Sequence, residues 1–306
     1  MAGVPTPNRR GRWLRIGLAA LVIGTPLATP SFLTPTSASA ASPPHIMLIV
    51  EENEGYAQII GSKSAPYITS LARTYASATN WYGLTDDSLS DYVALISGLT
   101  GSYKSPTLVG ELAAQGISWK AYTEDTPSAC YTGGRVANYT KTHNPFVHFK
   151  SITHNPAQCS QVVPFLGSGG SGFAGDLKNN TAPDFMYVVP NLCDDMHSSC
   201  PPLNKKVKQG DQWLNANLPT VLSSQWYLSG GIVIITWDSA TTSDKSGWHT
   251  GSGGHIPTIV VSATSHGTFS SSGNHYGTLR AIEEAYGVGL LGASSTPANG
   301  DLTPAF

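Results

Sequence analysis

The chain has 306 residues, of which 40% are hydrophobic and only 12% charged, with 32 glycines and 21 prolines. That is enough apolar material for one sizeable core, and it excludes a coiled coil or a disordered chain in favour of a loop-rich globule. The formal net charge is -2 and no basic run occurs, so nucleic acid is excluded as an expected partner.

In chain order, the first element is not part of that globule. Arg9, Arg10, Arg12 and Arg15 precede the apolar run IGLAALVIG, and the segment closes on Ala38-Ser39-Ala40. This is the pattern of a secretory signal peptide over residues 1–40, leaving an exported domain over 41–306. Removing four arginines from the 17 Lys+Arg leaves 13 against 19 Asp+Glu, a mature charge near -6. No later apolar stretch reaches the roughly 20 residues of a membrane span, so no transmembrane segment is expected after cleavage.

Residues 46–50, IMLIV, form an unbroken apolar run between His45 and Glu51, as expected of a strand buried on both faces. The same character recurs at Asp184 to Pro190, Gly231 to Thr236 and Ile256 to Val261. Helical patterns lie between, at Ala65 to Tyr75, Asp91 to Ser97, Pro106 to Gln115, Asp211 to Leu222 and His275 to Tyr286. Buried strands alternating with helices predict an α/β fold, a three-layer sandwich with a mainly parallel central sheet. Ligands of such sheets bind beyond the carboxyl ends of the strands. Glu51, Glu52, Asn53, the segment Asn191 to His197 and Asp238 are therefore the first candidates for a site.

The four cysteines are even in number in an exported chain, which predicts disulfides, and the sequence-local pairing Cys130 with Cys159 and Cys193 with Cys200 is favoured over the other two. Glu52, Asn53 and Asp238 offer hard oxygen ligands for one divalent cation, although the default reading of each alone is a helix cap. The stretch NLCDDMHSSC places Asp194, Asp195 and His197 in one short, stapled loop, suited to metal binding or proton transfer. TDDSLSDY, residues 85–92, sets Ser88 among three carboxylates. It reads either as an acidic turn capped by Ser88 or Ser90, or as a serine at a helix N-terminus that could meet a phosphate.

Several separated segments together resemble the phosphoesterase family of the alkaline-phosphatase-like superfamily, which includes secreted acid phosphatases and phospholipases C. VEENEGYAQIIGSKSAPYITSLA (50–72) is similar to its opening EN motif and the helix after it. YTKTHNPFVHF (139–149) resembles its KHNPFVYF segment and VVPNLCDDMHSS (188–199) its PNxxNDMHD segment, while GDQWLNANLP, IITWD and HYGTLRAIEEAYG follow in the family's order. The resemblance implies an alkaline-phosphatase-like fold and a phosphomonoesterase of the acid phosphatase type. It further implies Ser88 as nucleophile, a divalent metal cation at Glu52, Asn53 and Asp238, and phosphate-binding, metal-binding or proton-moving roles for His143, Asp195, His197 and His275. The expected substrate is a phosphorylated small molecule or a phospholipid head group.

Two departures stand out. The family reads THPSxPNY where this chain has TDDSLSDY, so Asp91 replaces an asparagine, and an ionised carboxylate accepts hydrogen bonds but repels phosphate. The family's WDE is WDS here, so Ser239 stands in place of a carboxylate that Asp244 could supply from its loop. Three readings follow: a re-tuned phosphatase, a phospholipase C-like diesterase, or a secreted binding protein on the same fold.

Overall fold

A computed structural model describes residues 42–104, 106–169, 171–240 and 252–306, with positions 13 and 17 besides. The leader expected over 1–40 otherwise lies outside the described residues, as do Asp244 and His249. Residues Ser42–Phe306 form one compact unit.

The four apolar runs become the centre of the sheet. β1 (Ile46–Glu51), β5 (Phe185–Val189), β6 (Ile232–Trp237) and β7 (His255–Val261) are buried along almost their whole length. β2 (Ala76–Tyr82), β3 (Trp119–Thr123), β4 (Val162–Pro164), β8 (Gly267–Phe269) and β9 (Gly273–Asn274) complete nine strands among the described residues. Their order is β4-β3-β5-β1-β6-β7-β2-β8, with β9 also on β2. β1 pairs parallel with β5 and β6, and β3 parallel with β5 and β4. β7 alone runs antiparallel, to both β6 and β2. The fold is mixed α/β around a mostly parallel sheet, as the alternation predicted.

β2 is absent from the pattern reading because ASATNWY carries small and polar residues where the other strands carry aliphatic ones. Its strand state is set by its partners: β7 on one side, β8 and β9 on the other, with a register irregularity between Ala78 and Trp81. Tertiary pairing overrides weak local preference in such a case.

Helices flank the sheet in packed pairs. Ser88–Ser97 packs on His275–Tyr286, and Pro66–Thr74 on Lys206–Leu222. The Ser88–Ser97 helix begins three residues before the predicted Asp91, and its cap corrects the expectation of Ser88 or Ser90. Asp87 is the cap, accepting from the Ser90 amide at 3.0 Å and from Ser90 Oγ at 2.6 Å. Gly98 ends the helix at φ 69°, a left-handed conformation that a Cβ disfavours. Both expected disulfides, Cys130–Cys159 and Cys193–Cys200, are formed.

Glu283 on the His275–Tyr286 helix is fully buried, accepting from Leu291 N at 3.0 Å and Ser294 Oγ at 2.6 Å. Burial pushes its carboxyl up from 4.5 to about 7, with the two bonds opposing. The folded state therefore favours the neutral acid. Its contribution to stability is complete below about pH 4.5 and is lost as pH rises through about 7. Thermal unfolding should show a midpoint that falls between pH 5 and pH 8, and Glu283→Gln should flatten this slope by about 3 °C or more. An unchanged slope would assign the pH dependence elsewhere.

Candidate active site

Three parallel strands deliver acids to the same edge of the sheet. Glu52 and Asn53 follow β1, Asp238 and Ser239 follow β6, and the Asn191–Cys200 loop follows β5. β2, which also ends at this edge, leads through Gly83 into Ser88, the first residue of its helix. Main-chain bonds tie the pieces together: Glu52 N donates to Asp195 O at 2.7 Å and Asp238 N to Glu51 O at 2.9 Å.

Glu52 lies at the centre. Its Oε2 accepts from Ser88 Oγ at 3.0 Å and from Asn53 Nδ2 at 2.6 Å, while its Oε1 lies 3.1 Å from His143 Nε2. His143 Nδ1 is 2.9 Å from Asp195 Oδ2, and Asp195 Oδ1 accepts from His197 N at 2.8 Å. The His143 and His197 rings are 5.5 Å apart, and Tyr92 stacks on His143 at 5.3 Å. Asn53 N donates to Asp238 Oδ1 at 2.9 Å. Ser88, Glu52, Asn53, Asp238, His143, Asp195 and His197 thus meet in one cluster, although they come from separate parts of the sequence.

His275 stands behind this cluster. It is fully buried, its Nε2 bonds the main-chain oxygen of Asp238, and Asp91 Oδ1 lies 3.9 Å away. Asp91 is itself buried, accepting from Leu84 N at 3.0 Å, Thr85 N at 3.1 Å and Thr85 Oγ1 at 3.1 Å. Oδ1 takes both main-chain donors and Oδ2 meets the Thr85 hydroxyl, so the Asp91 side chain ties down the turn that leads into Ser88. Ser239 donates to Asn53 Oδ1 at 3.0 Å, which orients the Asn53 amide.

The electrostatics are those of crowded acids, with no buried Lys or Arg side chain among them in the described residues. Burial raises Glu52 well above its ordinary value, with Asp238 and Asp195 adding to the shift and the Ser88 hydroxyl opposing it. Burial likewise raises Asp195, Asp238 and Asp91. It lowers His143 to about 4, so this imidazole is neutral.

These residues fit a divalent cation. Among the described residues, Asp238 Oδ2 is buried with no hydrogen-bond partner, and the His143 imidazole lies 3.1 Å from Glu52 Oε1. If neutral His143 gives its Nδ1 proton to Asp195, its Nε2 and Glu52 Oε1 face each other as two acceptors. Carboxylate-held imidazoles of this kind are the usual ligands of transition metals. One ligand atom each from Glu52, His143 and His197 lie within 4.8 Å of one another.

One further residue of the cluster was not legible as a site component. Tyr92 closes one face of His143, but in the sequence it is one apolar residue of a helix. Glu51, a candidate from its place at a strand end, is wholly buried, and neither of its carboxyl oxygens has a partner among the described residues. Of the other described histidines, His148 bonds Lys141 O, His266 bonds Thr74 O, His255 bonds Thr79 O, and His45 stacks on Trp226. Trp119, Trp213, Trp226 and Trp237 are core residues.

A family model described as the Phosphoesterase family matches residues 62–289, an interval that includes Ser88, His143, Asp195, His197, Asp238 and His275. The chain is 31% identical over 266 residues to a phosphatidylinositol-3-phosphatase of Mycobacterium tuberculosis, covering 83% of this chain and 80% of that protein. It is 24% identical over 271 residues to a probable acid phosphatase of Kluyveromyces lactis, with 82% and 60% covered. Among solved structures, a protein of the alkaline phosphatase superfamily from Vibrio parahaemolyticus matches with TM-score 0.57 at 15% identity, over 86% of this chain and 70% of that one. The lipoteichoic acid synthase LtaP of Listeria monocytogenes matches with TM-score 0.59 at 11% identity, over 84% and 76%. At those identities the structural likenesses speak to the fold, which is that of the alkaline phosphatase superfamily. The length of the family match and the identity to the mycobacterial phosphatase decide the rest: this chain belongs to the Phosphoesterase family and is a phosphoric ester hydrolase.

Proposed function

We propose that the protein is a secreted, metal-dependent phosphomonoesterase of the acid phosphatase type, with Ser88 as its nucleophile. The observation that carries this reading is the bond from Ser88 Oγ to Glu52 Oε2 at 3.0 Å, at the first turn of a helix and inside a buried acidic cluster. Glu52 holds the hydroxyl in one orientation, and the helix N-terminus favours the incoming phosphate.

Ser88 Oγ forms a bond to phosphorus as the ester P–O bond breaks, and the leaving oxygen takes a proton. Water then attacks the phosphoserine, releasing phosphate and restoring the hydroxyl. Glu52, Asn53 and Asp238 would hold the cation, with His143 as the neighbouring nitrogen donor. When bound, a divalent cation lowers the serine pKa and neutralises charge on the phosphoryl oxygens. The exposed His197 ring is assigned to phosphoryl contact. Proton transfer by His275 would use Nδ1, which has no hydrogen-bond partner among the described residues.

Export rests on the leader over 1–40 and on two disulfides, which persist in oxidising compartments. No helix among the described residues is long and apolar enough to cross a membrane. The phosphatase names of the relatives support a phosphate monoester as substrate, either of a small molecule or of an inositol-lipid head group.

The test is hydrolysis of an aryl phosphate by the purified mature chain from acidic to neutral pH, before and after chelation. Chelation should abolish turnover, and re-adding one divalent cation should restore it. Absence of turnover with every divalent cation tried would leave a diesterase or a binding protein.

A further inference from the structure

The segment GDQWLNANLP carries part of the family likeness yet supplies no group to the site. Its neighbours in the fold show what it does. The loop Cys193 to Cys200, which bears Asp195 and His197, rests on the first turns of the Lys206–Leu222 helix. The buried Gln209 side chain spans the base of that loop: Nε2 donates to Cys193 O at 2.9 Å, and Oε1 accepts from Cys200 N at 3.0 Å and Lys205 N at 3.1 Å. Beside it, Gly210 leaves room for the loop. A Cβ there would lie 2.5 Å from Met196 Cγ and Cε and 2.9 Å from Asp194 O. Met196 is wholly buried and has φ 74°, so the residue between Asp195 and His197 keeps an unfavourable backbone conformation while seated on this glycine. Lys206, at the start of the helix, also bonds Glu54 Oε1 at 2.7 Å, two residues past Glu52.

We infer that Gln209 and Gly210 are positioning residues for the reaction, setting the Cys193–Cys200 loop so that Asp195 meets His143 and His197 faces the site. The amide of Gln209 is required as such, because it must donate to one end of the loop and accept from the other. A carboxylate keeps the size but places an acceptor against Cys193 O. The disulfide closes the same two ends, so the amide and the S–S bond hold one loop twice.

This inference rests on the proposed phosphatase reading for its activity arm only. Gln209→Glu is compared with the parent chain and with Ser224→Ala, which removes the cap of the Gln225–Leu228 helix and serves as a control for general destabilisation. Turnover of an aryl phosphate by Gln209→Glu should fall about tenfold or more, as for lost supports of ligating residues, with KM within about twofold, while Ser224→Ala keeps its kcat. Independently of activity, dithiothreitol should reduce Cys193–Cys200 about tenfold faster in Gln209→Glu, with Cys130–Cys159 unaffected, as read by mass spectrometry after alkylation. If the parent chain shows no turnover, the phosphatase reading fails and the reduction rate alone decides the seat. Unchanged reduction of Cys193–Cys200 overturns the inference. If Gln209→Glu does not fold, Gly210→Ala is read by the same two measurements, and parental values for it overturn the inference equally.

Discussion

Ser88→Ala is expected to lower aryl phosphate turnover about 10,000-fold or more, the scale seen when a nucleophile is removed. The fold should survive, since Ser88 is a half-buried first residue of its helix and alanine is the better helix former. Glu52 Oε2 keeps its bond from Asn53 Nδ2, so the carboxylate is not stranded. Divalent cation binding should persist, because Ser88 is bonded to the ligand set and the donors themselves are carboxylate and imidazole. Acid quenching of the parent enzyme during turnover should trap phosphate on the peptide that contains Ser88, and the variant should trap none. Turnover within about tenfold of the parent chain would remove Ser88 from the mechanism and turn attention to a directly attacking water.

Asp195→Asn should be the second most damaging change, although the substitution is nearly isosteric. Asp195 accepts twice, from His143 at Oδ2 and from His197 N at Oδ1. An asparagine keeps one acceptor, for His197 N, and turns an NH2 toward His143 Nδ1. That selects the imidazole tautomer with its proton on Nε2, pointing at Glu52 Oε1 where a lone pair is needed. A loss of about 100-fold to 10,000-fold in kcat follows from the wrong tautomer, together with weaker cation binding in titration calorimetry. Stability should hold or rise, since a buried acid disappears from a crowd of acids. Unchanged kcat and cation affinity would mean that His143 finds its orientation elsewhere, with the Tyr92 stack as the remaining constraint.

Asp91 is read differently once its surroundings are known. In the sequence it looks like a repulsive substitution beside a nucleophile. In the fold it is a buried acceptor for Leu84 and Thr85, within 3.9 Å of His275. The change therefore fits a nucleophile turn held by a carboxylate. Ser239 is likewise absorbed, as a donor that orients the Asn53 amide.

The central strands follow from the sequence, because the runs in β1, β5, β6 and β7 are apolar without alternation and can only lie inside. So do the main helices, from periodicity, and the disulfide pairing, from proximity along the chain. Glu52, Asn53 and Asp238 were legible as site candidates since each directly follows such a run, where side chains emerge at the sheet edge. Resemblance decided between the two readings of Ser88 and alone picked out His143 and His275, because nothing local distinguishes a histidine that meets Glu52 from one that bonds a surface carbonyl. The fold decided matters of partner: β2 became a strand by pairing with β7, and Gln209 tied two ends of a loop. These depend on which atoms meet across 16 to 180 and more positions of chain, and hydrogen bonds over such separations leave no periodicity in the sequence to read.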